Sequence, residues 1–297
     1  MRILVAVDEN PYSAYAVDEV ARLARNTLAN VTLLGVVPRK NAKADRPEAA
    51  STQWDLDHPL AGALRTYRER FLGHFNEQDS PYTASQFAYE LVEVRRGIWE
   101  ELCVCRGARK SLKARLRLGN PAKEILAESQ EEESDLIVLG CSEDNLCAWG
   151  DGARVPQKIV NDAVCSVLVA KEAKKGGKVL CCLDQDKVSQ QSLEMINQMV
   201  TLHGAGLDIV GITEGEGLRT QVERKMDGIL KYYIAREIHP WIKLVDLPSL
   251  HSFISQEAER SLLALWMGKK SILEKVFPRG RLNKLIGVSK SSVLLLR

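Results

Sequence analysis

The sequence predicts an α/β protein made of two copies of one domain, each a five-stranded parallel sheet covered by helices. Segment 2–8 is a short apolar run that ends on an acid, and segment 178–184 repeats it 176 positions later. The two copies also end alike, because segment 165–171 matches segment 291–297. Short β-branched apolar runs alternate with longer helical patterns in both copies, which is typical of parallel α/β sheets.

The first copy is predicted to contain five strands and five helices. Helix 12–28 places Tyr15 and Leu23 near one face. Asn120-Pro121 is an N-cap followed by a proline at the first helical position, so a further helix begins there. The predicted strands are 2–7, 31–37, 114–118, 136–139 and 166–170. The predicted helices are 12–28, 60–77, 95–109, 121–132 and 154–162.

The second copy repeats the pattern in fewer residues. We expect domains at 1–172 and 178–297, joined by a linker rich in Lys and Gly at 173–177. The predicted strands are 178–183, 207–212, 241–246, 262–267 and 292–296. The predicted helices are 187–202, 217–238, 249–260 and 281–288.

One large insertion distinguishes the copies. Pro121 and Pro248 each follow the third strand, but they are offset by 127 positions rather than 176, so about 49 extra residues lie within 38–112. A crossover between parallel strands tolerates such growth because the added chain lies outside the sheet. We expect a polar loop at 39–57 and an added helix at 95–109.

Length, composition and charge restrict the class of protein. The chain has 297 residues, enough for two cores, and its 45% hydrophobic and 27% charged content is that of a globular protein. A net charge of +2 gives no general reason to expect a nucleic-acid or membrane partner. The longest purely apolar run, 262–267, cannot span a bilayer, and the first run is too short for a secretory signal.

The cysteines favour a reducing compartment. There are seven, unevenly spaced, and they do not resemble a disulfide framework. Cys165, Cys181 and Cys182 lie in strand-like runs, where a free thiol behaves as a small hydrophobe. We therefore expect a cytoplasmic protein.

Ligands of open parallel sheets bind beyond the carboxyl ends of the strands, where the strand order reverses. Asp8 and Asp184 occupy that edge after the first strand of each copy, and Gly140 and Gly268 occupy it after the fourth. Glycine allows close approach of a phosphate, and the next helix N-terminus offers free N–H groups.

These features resemble the universal stress protein family, in a tandem two-domain form. The resemblance rests on Asp8, the turn 119–121, the strand 135–140 and the closing strand 167–169, which recur in the same order in the second copy. It implies doubly wound domains of the flavodoxin or Rossmann kind, related to the adenine-nucleotide hydrolase superfamily. It also implies an internal pseudo-dimer in which the last strands of the two copies pair.

The resemblance further implies ATP or another adenine nucleotide as a ligand. The residues that would bind it in the first copy are Asp8, Val36, Leu139, Gly140, Gly152 and Arg154. Those in the second copy are Asp184, Gly268, Lys269, Gly280 and Arg281.

Both copies depart from the loop G-x2-G-x9-G-[S/T] of the ATP-binding members. Glu143 and Ser271 replace the middle glycine, Ala153 and Arg281 replace the closing hydroxyl, and both spacers are one residue short. The phosphate loops are therefore degenerate.

The copies also diverge in charge over these loops. Acidic side chains lie where a triphosphate would bind in the first copy, at Glu143, Asp144 and Asp151. Placing like charges next to each other can cost several kcal/mol of binding free energy. The second copy is basic there, at Lys269, Lys270, Arg279 and Arg281. If either half binds a phosphate or another anion, we expect it to be the second; a solvated basic loop is the alternative.

Each candidate residue also has a purely structural interpretation. Asp8 and Asp184 either contact the base or ribose of a nucleotide, or they end a strand and cap the next turn. Gly140 and Gly268 either approach a ligand or only turn the chain.

The remaining motifs give weaker evidence of function. The basic run at 95–117 has a single aromatic, Trp99, so a solvated helix face is favoured over a nucleic-acid surface. Gly215-x-Gly217 lacks the third glycine of a dinucleotide fingerprint. No cysteine or histidine spacing fits a metal, and no G-x-S-x-G or H-E-x-x-H motif is present.

The sequence therefore predicts a non-enzymatic, cytoplasmic regulatory protein of the stress response, acting through a protein partner or a sensed ligand. The leading alternative is a functional sensor of ATP or another adenine nucleotide. An ATP-consuming enzyme ranks last, because Glu9-Asn10-Pro11-Tyr12 replaces the Ser-Gly-Gly phosphate loop of the related hydrolases. Association of two chains into a further homodimer stays open.

Overall fold

The computed structural model of the 297-residue chain falls into two compact units. One comprises Met1–Gly140 and Trp149–Asp162, and the other comprises Cys141–Ala148 and Ala163–Arg297. The structure describes residues 1–38, 58–76, 80–82, 90–102, 108–142, 149, 154–172, 177–183, 189–213, 220–268 and 271–297.

The first unit is a mostly parallel sheet with helices between its strands. Its strands are β1 Arg2–Val7, β2 Asn30–Pro38, β3 Glu90–Arg95, β4 Ile98–Leu102, β5 Leu112–Gly119 and β6 Leu136–Gly140. Its helices are α1 Tyr12–Thr27, α2 Pro59–Leu72, α3 Pro121–Glu131 and α4 Val155–Asp162. The strand order is β6-β1-β2-β5-β4-β3, parallel from β6 to β5 and antiparallel beyond.

Local chemistry sets the ends of these elements. Asn120 accepts a hydrogen bond from the backbone N–H of Lys123 and Pro121 opens α3, as the sequence predicts. Ile3 to Val7 of β1 and all of β6 are buried, which is expected of strands covered on both faces. The core of the unit therefore lies around β1 and its two neighbours.

The insertion forms a β-hairpin where a helix is predicted. The predicted helix at 95–109 is wrong for its described part, because Arg95 ends β3 and β4 follows at once. Gly97 adopts φ +79°, which suits the tight turn between the strands. Over residues 92–95 apolar and charged side chains alternate, a period of two that favours a strand. The polar loop predicted at 39–57 lies outside the described residues.

The second unit contains the closing strand of each copy. Its strands are β7 Ser166–Ala170, β8 Lys178–Cys182, β9 Gly206–Thr213, β10 Trp241–Asp246, β11 Ser261–Trp266 and β12 Val293–Leu296. Its helices are α5 Gln190–His203, α6 Thr220–Ile234, α7 Leu250–Glu257, α8 Ile272–Val276 and α9 Arg279–Val288. The strand order is β10-β9-β8-β11-β12-β7, with β7 alone antiparallel.

The predicted fold class is confirmed, since both units are α/β with mainly parallel strands. The predicted pairing of the last strands is also present, with Val169 opposite Val293 and Val167 opposite Leu295. Among the described helices, the short α8 is missed, and α6 is shorter than its predicted span of 217–238. Four residues of the predicted linker, 173–176, are not described.

The thiols agree with the expectation in part. The thiols of Cys181 and Cys182 are free, and burial raises the pKa of both. Cys165 forms no disulfide. Cys141, directly after β6, is disulfide-bonded, which the cysteine spacing does not predict.

A buried charge cluster joins β5 to α3. Glu128 is fully buried and accepts from Arg115 at 2.6 Å and from Arg117 at 2.6 Å. Arg115 also contacts Glu100 and Glu132, each within 2.6 Å. The prediction of a solvated helix face is therefore wrong for these arginines, since both lie in a strand and are neutralised by glutamates.

Replacing Glu128 with alanine should lower the free energy of unfolding by about 3–5 kcal/mol, because the buried guanidinium of Arg117 and the partly buried one of Arg115 lose a shared carboxylate. Urea denaturation measures the change. Gln130→Ala, an exposed substitution on the same helix, should stay within about 0.5 kcal/mol of the wild type. A cost below about 1 kcal/mol for Glu128→Ala would contradict this account of the cluster.

The stabilising effect of Glu132 should disappear in acid. Partial burial raises its pKa, but hydrogen bonds from Lys113 and Arg115 outweigh burial and lower the pKa below the ordinary 4.5. A carboxyl whose pKa is lower in the folded state adds stability above its unfolded pKa and loses it as the pH falls through the folded value. The difference in unfolding free energy between wild type and Glu132→Gln should therefore be positive at pH 7 and shrink below pH 4.5. A difference that does not change with pH would refute this.

Candidate functional site

Three neighbouring strands of the first unit end where the predicted site lies. β1 lies between β2 and β6, and Ala6 pairs with Leu139. Asp8, Val36 and Gly140 consequently lie at or near the carboxyl ends of adjacent strands. The chain runs from β1 to β2 on one side and returns to β6 on the other, so this edge is the switch point of the unit.

The Asp8 carboxylate is used within its own loop. Its Oδ1 accepts from the backbone N–H of Asn10 at 3.0 Å and from the hydroxyl of Ser13 at 2.7 Å. Its Oδ2 accepts from the side-chain amide of Asn10 at 2.6 Å and from the phenol of Tyr12. The Ser13 hydroxyl in turn accepts from the backbone N–H of Asp8 at 3.0 Å. A carboxylate offers about four lone-pair sites, and these contacts use that number.

Two tyrosines fix this loop. Tyr12 opens α1, and burial together with the hydrogen bond to Asp8 raises the pKa of its phenol. Tyr67 of α2 donates to the carbonyl of Asn10 at 3.0 Å, and burial raises its pKa as well. Both phenols stay protonated at neutral pH, so they act here as hydrogen-bond donors and not as bases.

Gly140 contacts the protein itself at close range. A Cβ at this position would lie 2.2 Å from the Tyr12 carbonyl oxygen and 3.0 Å from the Ser13 nitrogen. Only glycine fits there, because the first turn of α1 lies directly against the end of β6. The close approach that glycine permits is therefore used by the backbone of α1.

A tryptophan covers the remaining edge. The Trp149 indole N–H donates to the carbonyl of Gly140 at 3.3 Å, and its ring lies 6.5 Å from that of Tyr12. Both rings are almost fully buried. The position beyond Gly140, which a phosphate would need, is thus lined by buried aromatic rings of the unit.

Arg154 lies exposed at the start of α4, where its carbonyl accepts from the backbone N–H of Lys158 at 3.2 Å. Gly152 and the acidic residues 143, 144 and 151 lie outside the described residues. The described candidates of the first unit are therefore the edge formed by Asp8, Val36, Leu139 and Gly140, together with the exposed Arg154.

At the corresponding edge of the second unit, a tryptophan of the strand itself lies against the glycine. Gly268 follows β11, and a Cβ on it would lie 2.0 Å from the ring of Trp266. Trp266 is buried, and the hydroxyl of Ser271 caps α8 by accepting from the backbone N–H of Glu274 at 3.0 Å. Asp184 and Lys269, the other candidates here, are not among the described residues.

The basic end of the second unit lies on α9. Gly280 and Arg281 belong to the first turn of this helix, and a Cβ on Gly280 would meet nothing within 4 Å. Arg281 is exposed and donates to the carbonyl of Val276 at 3.3 Å. This guanidinium therefore caps the end of α8.

Two cavities lie away from these edges. One of about 40 Å³ opens near the amino ends of β8 and β11, lined by Lys178, His203, Arg260, Leu262 and Ser292 among others. The other, of about 220 Å³, lies in the first unit and is lined by Arg25, Leu28, His74, Phe75, Asn76 and Pro81. Neither includes a residue of the predicted sites.

The sequence analysis identified the strand-end residues but not the side chains that contact them. Tyr12, Tyr67 and Trp149 were not candidates, and neither was Trp266. The pair Asp8–Asn10 ahead of a helix is a local signal for a self-capped turn. The indole contacts depend on tertiary packing and have no comparable local signal.

The family model of the universal stress protein family matches residues 1–171. The chain belongs to the universal stress protein family. No curated protein sequence matches it significantly.

Solved structures support the fold over the whole length. A universal stress protein from Archaeoglobus fulgidus has a TM-score of 0.58 at 13% identity, covering 100% of this chain and 98% of that one. A functionally unknown protein from Pseudomonas aeruginosa has a TM-score of 0.57 at 16% identity, covering 99% and 92%. The cytoplasmic domain of a prokaryotic cation chloride cotransporter has a TM-score of 0.52 at 11% identity, covering 99% and 94%. At these identities the likeness concerns the fold alone.

The described residues of this universal stress protein contain neither a membrane-spanning helix nor a metal-binding cluster. None of their helices is both long enough and apolar enough to cross a membrane. Within the same residues, no group of three or more His, Cys, Asp or Glu is arranged to hold a metal ion.

Gly140→Ala should destabilise this universal stress protein by about 1–3 kcal/mol, since the added methyl group overlaps the Tyr12 carbonyl. Gly62→Ala is the matched control, because a Cβ there meets nothing within 4 Å and the residue lies inside α2. It should raise stability by about 0.5–1 kcal/mol. Chemical denaturation of both variants measures the opposite signs, and equal effects would contradict the close packing.

Proposed function

We propose that this protein is a tandem, non-enzymatic regulator of the stress response in the cytoplasm, and that its first unit does not bind ATP. Membership of the universal stress protein family supports a role in the stress response. The observation that carries the second part is the Asp8 carboxylate, which four donors of its own loop already occupy.

A ribose or an adenine could use Asp8 only by displacing these donors. The hydroxyl of Tyr12 and the amide of Asn10 would then lose a charged acceptor in a half-buried loop. Hydrogen bonds to charged groups contribute about 1.5–3 kcal/mol each, so the exchange favours the closed loop unless a ligand restores several of them. The strand-end Asp thus has its structural role in this unit.

The phosphate position is opposed by the aromatic rings. Trp149 donates to the carbonyl of Gly140, and the backbone of Tyr12 occupies the space next to the glycine. A triphosphate there would have to move a buried indole and would meet the acidic segment 143–151 of the sequence. Both features work against a polyanion.

We extend the proposal to the second unit on separate grounds. The ring of Trp266 covers Gly268, and Arg281 already donates to the carbonyl of Val276. These contacts support a solvated basic end rather than a preformed anion site. Signalling would then run through a protein partner in both units.

Titration of the full-length protein with Mg-ATP by calorimetry should give no binding tighter than about 1 mM, which corresponds to about −4 kcal/mol. Asp8→Ala should leave this result unchanged but lower the melting temperature, because the loop loses its capping carboxylate. Val20→Ala, a buried substitution within α1 and outside the predicted site, controls for general loosening. Micromolar binding that Asp8→Ala abolishes would refute the proposal for the first unit.

The adenine-nucleotide sensor is the second candidate, since it is what the family resemblance implies for a strand-end Asp followed by Gly140. It requires Trp149 to leave the Gly140 carbonyl when the ligand enters. A native mass spectrum of freshly purified protein that shows a bound nucleotide would establish this function in place of the first. Phosphate release above background, lost in Asp8→Asn, would instead indicate an ATP-consuming enzyme.

A further inference from the structure

The outer strand of the second unit exposes large apolar side chains. β10 is the last strand of the order β10-β9-β8-β11-β12-β7, so one of its edges has no neighbour among the described strands of the unit. Trp241 is 75% exposed, Leu244 58% and Ile242 37%. Edge strands present unpaired N–H and C=O groups and are usually protected by charge, proline or a bulge. β10 has a single lysine, and its apolar residues dominate the exposed edge.

The corresponding edge strand of the first unit, β5, is paired with a further strand. β5 occupies the place in the first unit that β10 occupies in the second, because each is the third parallel strand counted from the switch point through β2 or β9. The outer edge of β5 is covered by β4, which runs antiparallel with Trp99 opposite Leu116. Trp99 is buried where β4 pairs with β5. The same edge therefore accommodates an antiparallel strand carrying a tryptophan.

The insertion that supplies this cover is absent from the second copy. The outermost strand of the first unit is β3, which exposes Glu93 and Arg95 and so has the charge that protects an edge. Among the residues that the structure describes, no such hairpin lies beside β10. The second unit consequently presents the apolar edge that the first unit covers.

We propose that β10 pairs antiparallel with β10 of a second copy of this chain, so that the protein forms a two-fold homodimer through this edge. A two-fold axis brings the same surface of both copies together, and antiparallel strands satisfy that symmetry. The inference goes beyond the proposed function, because it holds whether or not either unit binds a nucleotide.

The sequence of β10 selects one register. With the axis at Lys243, Ile242 faces the partner's Leu244 on one face, and Trp241 faces the partner's Val245 on the other. Every exposed apolar side chain then meets an apolar one, which stabilises cross-strand pairs. Shifting the axis toward Leu244 brings Asp246 opposite Ile242 or Trp241 and loses this match.

The one like-charged pair in this register is already neutralised. Lys243 would face its own copy across the axis, but its Nζ contacts Asp208 at 2.9 Å and Glu257 at 3.6 Å. Asp208 is buried, so the ammonium is held toward the body of its own unit. The repulsion that an unpaired lysine would cause at the axis is therefore weakened.

The first test is the oligomeric state of the full-length chain. Sedimentation equilibrium should show a concentration-dependent dimer, and Leu244→Lys should raise its dissociation constant at least tenfold. Val288→Lys is the matched control, because Val288 is 53% exposed on α9, away from the edge, and this variant should dimerise like the wild type. A wild type that stays monomeric at about 100 µM, or equal losses in both variants, would overturn the proposal.

A second test addresses the register. Ile242→Cys and Leu244→Cys, mixed and oxidised, should form a disulfide-linked dimer, because these positions face each other across the axis. Each variant alone should form no more covalent dimer than the wild type, which keeps the native cysteines. Covalent dimers of equal yield from each single variant would contradict the axis at Lys243. A monomeric wild type that binds a peptide of residues 98–102 would assign the edge to a foreign strand and refute self-association.

Discussion

The packing of Gly140 against the first turn of α1 determines the rest of the candidate site. With 2.2 Å between a hypothetical Cβ and the Tyr12 carbonyl, the helix begins as near to β6 as the backbone permits. This contact places Tyr12 and Ser13 within hydrogen-bonding distance of Asp8. It also exposes the Gly140 carbonyl to the indole of Trp149. The strand-end Asp and the glycine after strand four are therefore parts of one closed turn.

The two units close the same edge by different means. In the first, Trp149 comes from the segment after Gly140 and contacts its carbonyl; in the second, Trp266 precedes Gly268 and lies over its Cα. Both units have a glycine at this edge, whereas the aromatic residue follows the glycine in the first unit and precedes it in the second. Both units thus place an indole ring next to this glycine.

The sequence predicted most of the fold because its signals were local and repeated. β1, β7 and β10 agree with prediction residue for residue, and the buried strands β1 and β7 read as continuous apolar runs. The sequence analysis did not predict the hairpin β3–β4, because its charged residues resemble the exposed face of a helix. The alternation over 92–95 and the turn residue Gly97 are the signals that indicate a hairpin. The ion pairs of Arg115 and Arg117 with Glu128 depend on the packing of α3 on β5, which no local pattern contains. The same holds for Trp149 at the candidate site, whereas Asp8 and Gly140 were found because parallel strands end at one edge.

The insertion gives the two halves different edges, and this difference has a physical consequence. A third strand at the border of a parallel sheet must be covered, charged or paired. In the first copy the added chain supplies β4 as cover and β3 as a charged outer strand. The second copy lacks this addition, yet it kept a β10 that is apolar at Trp241, Ile242 and Leu244. An uncovered apolar edge strand favours aggregation when more and more chains can pair through it. Pairing about a two-fold axis stops at a dimer, because each chain then has its one uncovered apolar edge strand, among those described, already paired.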